Sequence, residues 1–315
     1  MVGQLYHMVT NESSLSNLKD GARAAMGIGN VYRVIKSTES YYAQFLEDYQ
    51  GEYSDGSFVV HTTIQSALDA TVECRNDYVI VQPANADYDI TAVLTMSKKC
   101  VHLICPAGLG NKVGATNACR IHQTTAATPI IAVTDASIEI AGFYFKNYVN
   151  VQAITLSADA YSPNIHNNSF AMTFSSTTAL PIIDGTSSGG GWGSIESNWF
   201  MSYSGASCTI AKIVDIEAQA TCAKVSYNEF MVGDLNTITV GIYMDAVKGS
   251  ADYNMFKKCG ANGTWTHCIF LNPTANAIGN RGTVADSVLV TGGAADQSFS
   301  DNMNGVNGGL VDDAT

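Results

Sequence analysis

The chain has 315 residues, 16 Lys and Arg against 28 Asp and Glu, a net charge of −12, and 46% hydrophobic but only 14% charged residues. A charged fraction well under the roughly 25% of ordinary globular domains excludes a disordered chain and a coiled coil. So few basic residues, with no run of them, exclude nucleic acid as a direct partner, and 28 Gly against 6 Pro fit an all-β chain of short strands and polar turns.

Taken from the start, Met1–Val9 lacks a basic segment followed by a long apolar one, so no Sec signal is expected. No stretch approaches 18 apolar residues, so no membrane insertion is expected either. Apolar spacing predicts one helix around Leu15, Leu18, Ala22 and Met26 and another around Tyr42, Phe45, Leu46 and Tyr49. Residues 1–61 share no repeat with the rest of the chain and read as a head or anchoring segment. Thr62-Thr63-Ile64-Gln65 reads as a capping box opening a short amphipathic helix through Ile64, Ala67 and Leu68. Strands are then predicted at Asp77–Pro83, Leu94–Ser97, Cys100–Pro106, Ala118–Gln123 and Ser137–Phe145. The Gly108–Gly114 stretch misses the phosphate-loop pattern.

From there a repeat takes over. Ile165-His166-Asn167-Asn168-Ser169-Phe170, Ile195-Glu196-Ser197-Asn198-Trp199-Phe200 and Val225-Ser226-Tyr227-Asn228-Glu229-Phe230 follow one pattern, continued at Asn254 and decaying at Asn280 and Asn302. The steps between these asparagines are 30, 30, 26, 26 and 22. Half a period later runs a second series, Pro181–Asp184, Lys212–Ile216, Val240–Asp245 and His267–Asn272. Short alternating strands cannot bury an inner face alone, but stacked coil on coil about 4.8 Å apart they form a continuous interior. The sequence therefore predicts an all-β parallel β-helix over residues 62–303, with an N-terminal helical cap and an acidic, Gly-rich tail at 304–315. The six asparagines are predicted at turns, in the left-handed conformation they tolerate, amide bonded to amide.

The residues that could carry chemistry are few. Asp184, Asp215 and Asp245 recur at steps of 31 and 30, with Asn272 after them. In shared register their carboxylates would stack, either as solvent-facing corner residues, as a cation site, or as an acid and base for glycoside cleavage. Trp192, in its glycine loop, and Trp265 are candidates for stacking on sugar rings, whereas Trp199 reads as a packing residue. The six histidines make no metal motif, and His102 and His122 are placed as neighbours on adjacent coils. Eight cysteines with no C-x-x-C pair read as mostly buried free thiols of a reducing cytoplasm. No metal and no cofactor is expected.

Thr62–Leu68, then Asp77–Pro83, then the repeated Asn-x-Phe turns resemble the right-handed β-helix (pectin-lyase-like) superfamily across roughly residues 62–303. The superfamily's V-x-P-G-x-Y start is here Val81-Gln82-Pro83-Ala84, with Tyr88 displaced. The resemblance implies right-handed coiling. Members include pectate lyases, polygalacturonases and phage tailspikes, and many phage members are homotrimers with an unrelated head docked to the virion. The likeness to that group implies a structural or binding component of a virion surface, of capsid-decoration or tail-spike type, made in the host cytoplasm. Its partners would be two further copies of itself, other virion proteins through residues 1–61, and host surface polysaccharide. The alternative within the superfamily is a polysaccharide depolymerase working through the Asp184/Asp215/Asp245 line.

Overall fold

Most strands here are only two to five residues long, too short to stand alone, and their stability comes from stacking. The computed structural model describes residues 27, 29–106, 119–125, 128–147, 149–173, 180–185, 190–202, 207–217, 220–259, 262–271, 274–283, 289–292, 299–300, 302–304 and 310–311. Among them three sheets of 11, 10 and 8 strands run along a parallel β-solenoid. Sheet I carries Asp77–Val81, Val101–Ile104, Glu139–Ala141, Asn164–His166, Ser194–Glu196, Lys224–Ser226, Ser250–Asp252 and Asn276–Ile278 in succession. Sheet II follows through Phe143–Asn147, Ser169–Met172, Trp199–Ser202, Glu229–Val232 and Met255–Lys258, and sheet III through Ile154–Leu156, Ile183–Gly185, Cys208–Ile216, Asn236–Met244 and Thr264–Leu271.

The interior is built from like on like. Phe145, Phe170, Phe200, Phe230 and Phe256 stack with ring centroids 4.7–4.9 Å apart and planes within 8°. Opposite them, Leu103, Ile140, Ile165, Ile195, Val225, Ala251 and Ala277 occupy one inward row of sheet I. Side chains in that row shrink toward the C-terminal end, and Trp265 enters the core there, edge-on to Phe256 at 5.5 Å.

Two expectations about the ends change. The solenoid does not begin at residue 62: Val31–Val34 pairs in parallel with Asp77–Val81, and Val60–His61 pairs in turn with Val31–Val34. Two segments of the expected head thus add strands to sheet I, where Val31, Tyr32 and Val34 carry buried side chains and cover the edge that Asp77–Val81 would leave open. Residues 1–26, with the first predicted helix, lie outside the described residues. The second helix, α1, is present at Tyr42–Tyr49. At the other end the acidic, Gly-rich tail, read as lying outside the β-helix, contains Leu310–Val311, paired antiparallel with Asn302–Asn304.

The capping helix α2 spans Ile64–Ala70 and buries Ile64, Ala67 and Leu68. Its cap differs from the predicted box: Thr63 accepts the Ser66 N–H, while the Gln65 amide donates to Asp69 on the same helix and reaches the neighbouring strand. The Gln65 amide accepts the Thr95 N–H at 2.9 Å and donates to the Thr95 carbonyl. Thr95 lies on Leu94–Met96, the edge strand of sheet III, so this side chain satisfies backbone groups that an edge would leave open. Nearby, the buried Asp77 carboxylate accepts from Asn30 N, Val72 N and two nitrogens of Arg75. No helix among the described residues is long and apolar enough to cross a membrane.

Candidate functional site

The asparagines at 168, 198, 228, 254 and 280 are buried and form one continuous ladder. Asn198 shows the unit. Its Oδ1 accepts from the backbone N–H of Asn168 at 2.9 Å and from Asn168 Nδ2 at 3.2 Å. Its Nδ2 donates to Ile165 O and to Asn228 Oδ1. Both donors and both acceptor sites of the amide are used, the condition for burying it without cost. The left-handed conformation, however, falls on the residue before each asparagine: Asn167, Ser197, Tyr227, Tyr253 and Gly279 have φ between 54° and 65°. Asn302 lies on the continuation of the row, beside Met303, which pairs with Arg281.

A second left-handed row, unforeseen from sequence, lies between sheets III and I. Cys74, Cys100, Ser137, Ser162, Trp192, Cys222 and Lys248 all have φ between 52° and 59°. From Cys74 to Cys222 each N–H bonds the carbonyl just before its counterpart one coil on, as in Ser162 to Gly191 and Trp192 to Thr221. Cys, Ser, Trp and Lys all occur in the row, so no single side-chain signature marks it.

On the outer face of sheet III, Asp184 and Asp215 are register partners, placing their strands about 4.8 Å apart. The third member of the expected line is not there. Asp215 pairs with Tyr243, and Tyr243 with Phe270, so Asp245 lies two residues beyond the row. Sheet III advances 28 residues between these coils, Asp215 to Tyr243, whereas the expected step was 30. Asn272 lies outside the described residues. Asp215 is buried and paired with Lys212 Nζ at 2.8 Å. Burial pushes its carboxyl up, Lys212 opposes this, and Asp184 adds to it. The Lys212 ammonium also sits 3.8 Å from the centroid of the Tyr243 ring, which stacks on Phe270 at 5.3 Å. Asp184 accepts from Gln152, and burial raises the Asp245 carboxyl with Lys212 opposing. The face therefore presents two carboxylates, one ammonium and two aromatic rings in a single patch.

The two tryptophan candidates part ways. Trp192 is 65% exposed, while Trp265 is 4% exposed inside the core, in register with Ile238, and cannot meet a ligand. Trp199 is buried, its indole N–H directed at Met231 Sδ. Two aromatics not singled out from sequence are more open: Tyr227 and Tyr253, 57% and 51% exposed, stack at 5.3 Å. A Cβ on Gly279 would stand 2.4 Å from the Tyr253 ring, so glycine there is what lets the column end flat. Trp192, Tyr227 and Tyr253 are thus three bulky residues held at positive φ at corners of the coils with their side chains exposed.

His102 and His122 lie in different sheets, not side by side. His102 instead meets Glu139 at 2.5 Å and Asn76 at 2.7 Å, stacked on Tyr78. His166 meets the other oxygen of Glu139 at 2.7 Å. Burial works against the Glu139 charge, but the two imidazoles outweigh it and hold the carboxyl at about 2. His122 meets Asp89, and with Asp87 these bring three ligand-type atoms within 4.8 Å of one another. Asp87 already faces Arg120 and Lys146, which outweigh its burial and lower its carboxyl, so protein cations supply the positive charge there.

No family model matches the chain, and no curated protein matches it. Among solved structures it is similar to ORF18 of Geobacillus virus E2, with 11% identity and a TM-score of 0.39. That alignment covers 76% of this chain and 57% of the viral one, so the chain spans little more than half of that protein's length.

Proposed function

We propose that this chain is a structural and binding component of a virion surface, a capsid-decoration or tail-spike type of protein working as a homotrimer. Residues 1–61 would dock it to other virion proteins, the solenoid would stand outward, and Trp192 would contact host surface glycan. The observation that carries the reading is the unbroken interior: an amide ladder from Asn168 to Asn280 with a phenylalanine column beside it. Such a stack resists unfolding and chemical attack along its whole length, which suits a particle exposed outside a cell. Electron cryo-microscopy of particles made with and without the gene tests it. A three-fold density present only in the complete particles supports the proposal, and identical particles contradict it.

A second reading is favoured by one feature, the in-register Asp184–Asp215 pair with its raised Asp215 carboxyl. Carboxyl groups about 5 Å apart suit retaining glycoside cleavage, so a polysaccharide depolymerase would use Asp215 as acid and Asp184 as nucleophile. Asp245, off the row, has no part in such a pair. Asp215→Asn would then abolish release of reducing sugar from host polysaccharide. An unchanged rate, or none in the parent protein, removes this reading.

A further inference from the structure

The left-handed row between sheets III and I begins with two cysteines, Cys74 and Cys100. Their backbones are hydrogen-bonded neighbours on successive coils, although the strand ladder, with Asp77 opposite Val101, sets Asn76 (φ 64°) rather than Cys74 opposite Cys100. Cys74 N–H bonds Lys99 O at 3.0 Å, just as Cys100 N–H bonds Ala136 O and Ser137 N–H bonds Tyr161 O. Counterparts in that pattern lie about one strand spacing apart, inside the 4.4–6.8 Å Cα separation that a disulfide spans. Both thiols are free, and Cys74 is among the groups that push the Cys100 thiol up. Cys74 is exposed and Cys100 half-buried, so an oxidant in solution reaches the pair.

We propose that Cys74 and Cys100 form an oxidation-driven disulfide that clamps the first full coil of the solenoid. The oxidant is a low-molecular-weight disulfide. The Cys74 thiolate attacks one of its sulfurs, forming a mixed disulfide and releasing one small thiolate. Cys100, having lost its proton to water, attacks the Cys74 sulfur and releases the second. The two protein thiols give up two protons and two electrons, and one small disulfide becomes two small thiols. The more exposed Cys74 takes the first step, and burial, with Cys74 alongside, pushes the Cys100 thiol up and leaves it as the resolving partner.

The position gives the bond its purpose. The closed loop holds Asp77–Val81 of sheet I together with Tyr88–Ile90 and Leu94–Met96, the edge strands of sheets II and III. Solenoids fray from terminal coils, and this bond ties one such coil into a ring. A second pair of cysteines, Cys105 and Cys119, is fully buried, with Cys119 Sγ donating to Gln82 O and its thiol pushed well up by that burial. It serves as an internal comparison that oxidants do not reach.

The test uses the intact chain, incubated with oxidised glutathione, alkylated and digested for mass spectrometry. The expected result is a linked peptide joining Cys74 to Cys100, absent in Cys74→Ser, with Cys105 and Cys119 alkylated only after unfolding. Oxidation is also expected to raise the thermal midpoint by about 3–10 °C in the parent protein, and not in Cys74→Ser. Glutathione on Cys74 and Cys100 separately, both thiols left free, or a linked pair with no change in midpoint would overturn the proposal.

Discussion

Glu139 shows how one side chain sets the behaviour of several coils. It lies between His102 on the coil before and His166 on the coil after. Its carboxyl stands at about 2 in the fold against an ordinary 4.5. A depressed carboxyl contributes stability that is fully present above 4.5 and is lost as the pH falls toward 2. The loss across that window is about 3 kcal/mol. Urea unfolding at stepped pH should therefore show a steep acid limb in the parent protein and a flatter one in Glu139→Gln. Parallel limbs would mean that the imidazoles do not hold the carboxylate in its charged form. No local motif announces this cluster, because Glu139 stands 37 and 27 residues from its two partners.

Single coils differ in how much of them is legible in the sequence. The turn between sheets I and II repeats asparagine because a buried amide there must satisfy the coils on both sides, and that requirement leaves the same residue every time. The opposite corner needs only a backbone conformation, so Cys, Ser, Trp and Lys all serve and no one residue type holds the row. Asp245 falls off its expected line for a related reason. From Asn198 to Asn228 the turn row advances 30 residues, but the strand row advances 28 in the following stretch of sheet III, so a count along the chain slips by two. Trp265 is lost as a glycan candidate because alternation from Thr264 turns it inward over Ile238. The inner columns lend themselves to a contrast between two aromatic truncations. Phe200→Ala, which empties the middle of the ring stack, should cost about 3–5 kcal/mol in denaturant unfolding. Trp192→Ala at the exposed corner should change stability by no more than about 0.5 kcal/mol while weakening any glycan contact. Equal costs for the two would contradict the assigned faces.

At the level of the whole chain, the strands at Val31–Val34 and Val60–His61 tie residues of the expected head into the stack, so cap and solenoid unfold as neighbours in one sheet. The architecture rests on coils lying directly over one another, with the asparagine amides as the link between them. Side-chain carboxamide protons in water exchange quickly, whereas these are buried and doubly bonded. The most direct measurement is hydrogen–deuterium exchange by NMR on ¹⁵N-labelled protein, reading the carboxamide signals of asparagine. Protected NH₂ pairs at Asn168, Asn198, Asn228 and Asn254, together with their slowly exchanging backbone N–H groups, are the predicted result. Loss of all asparagine side-chain signals within the dead time of transfer to D₂O, under conditions where the chain remains folded, would contradict the stacked coils.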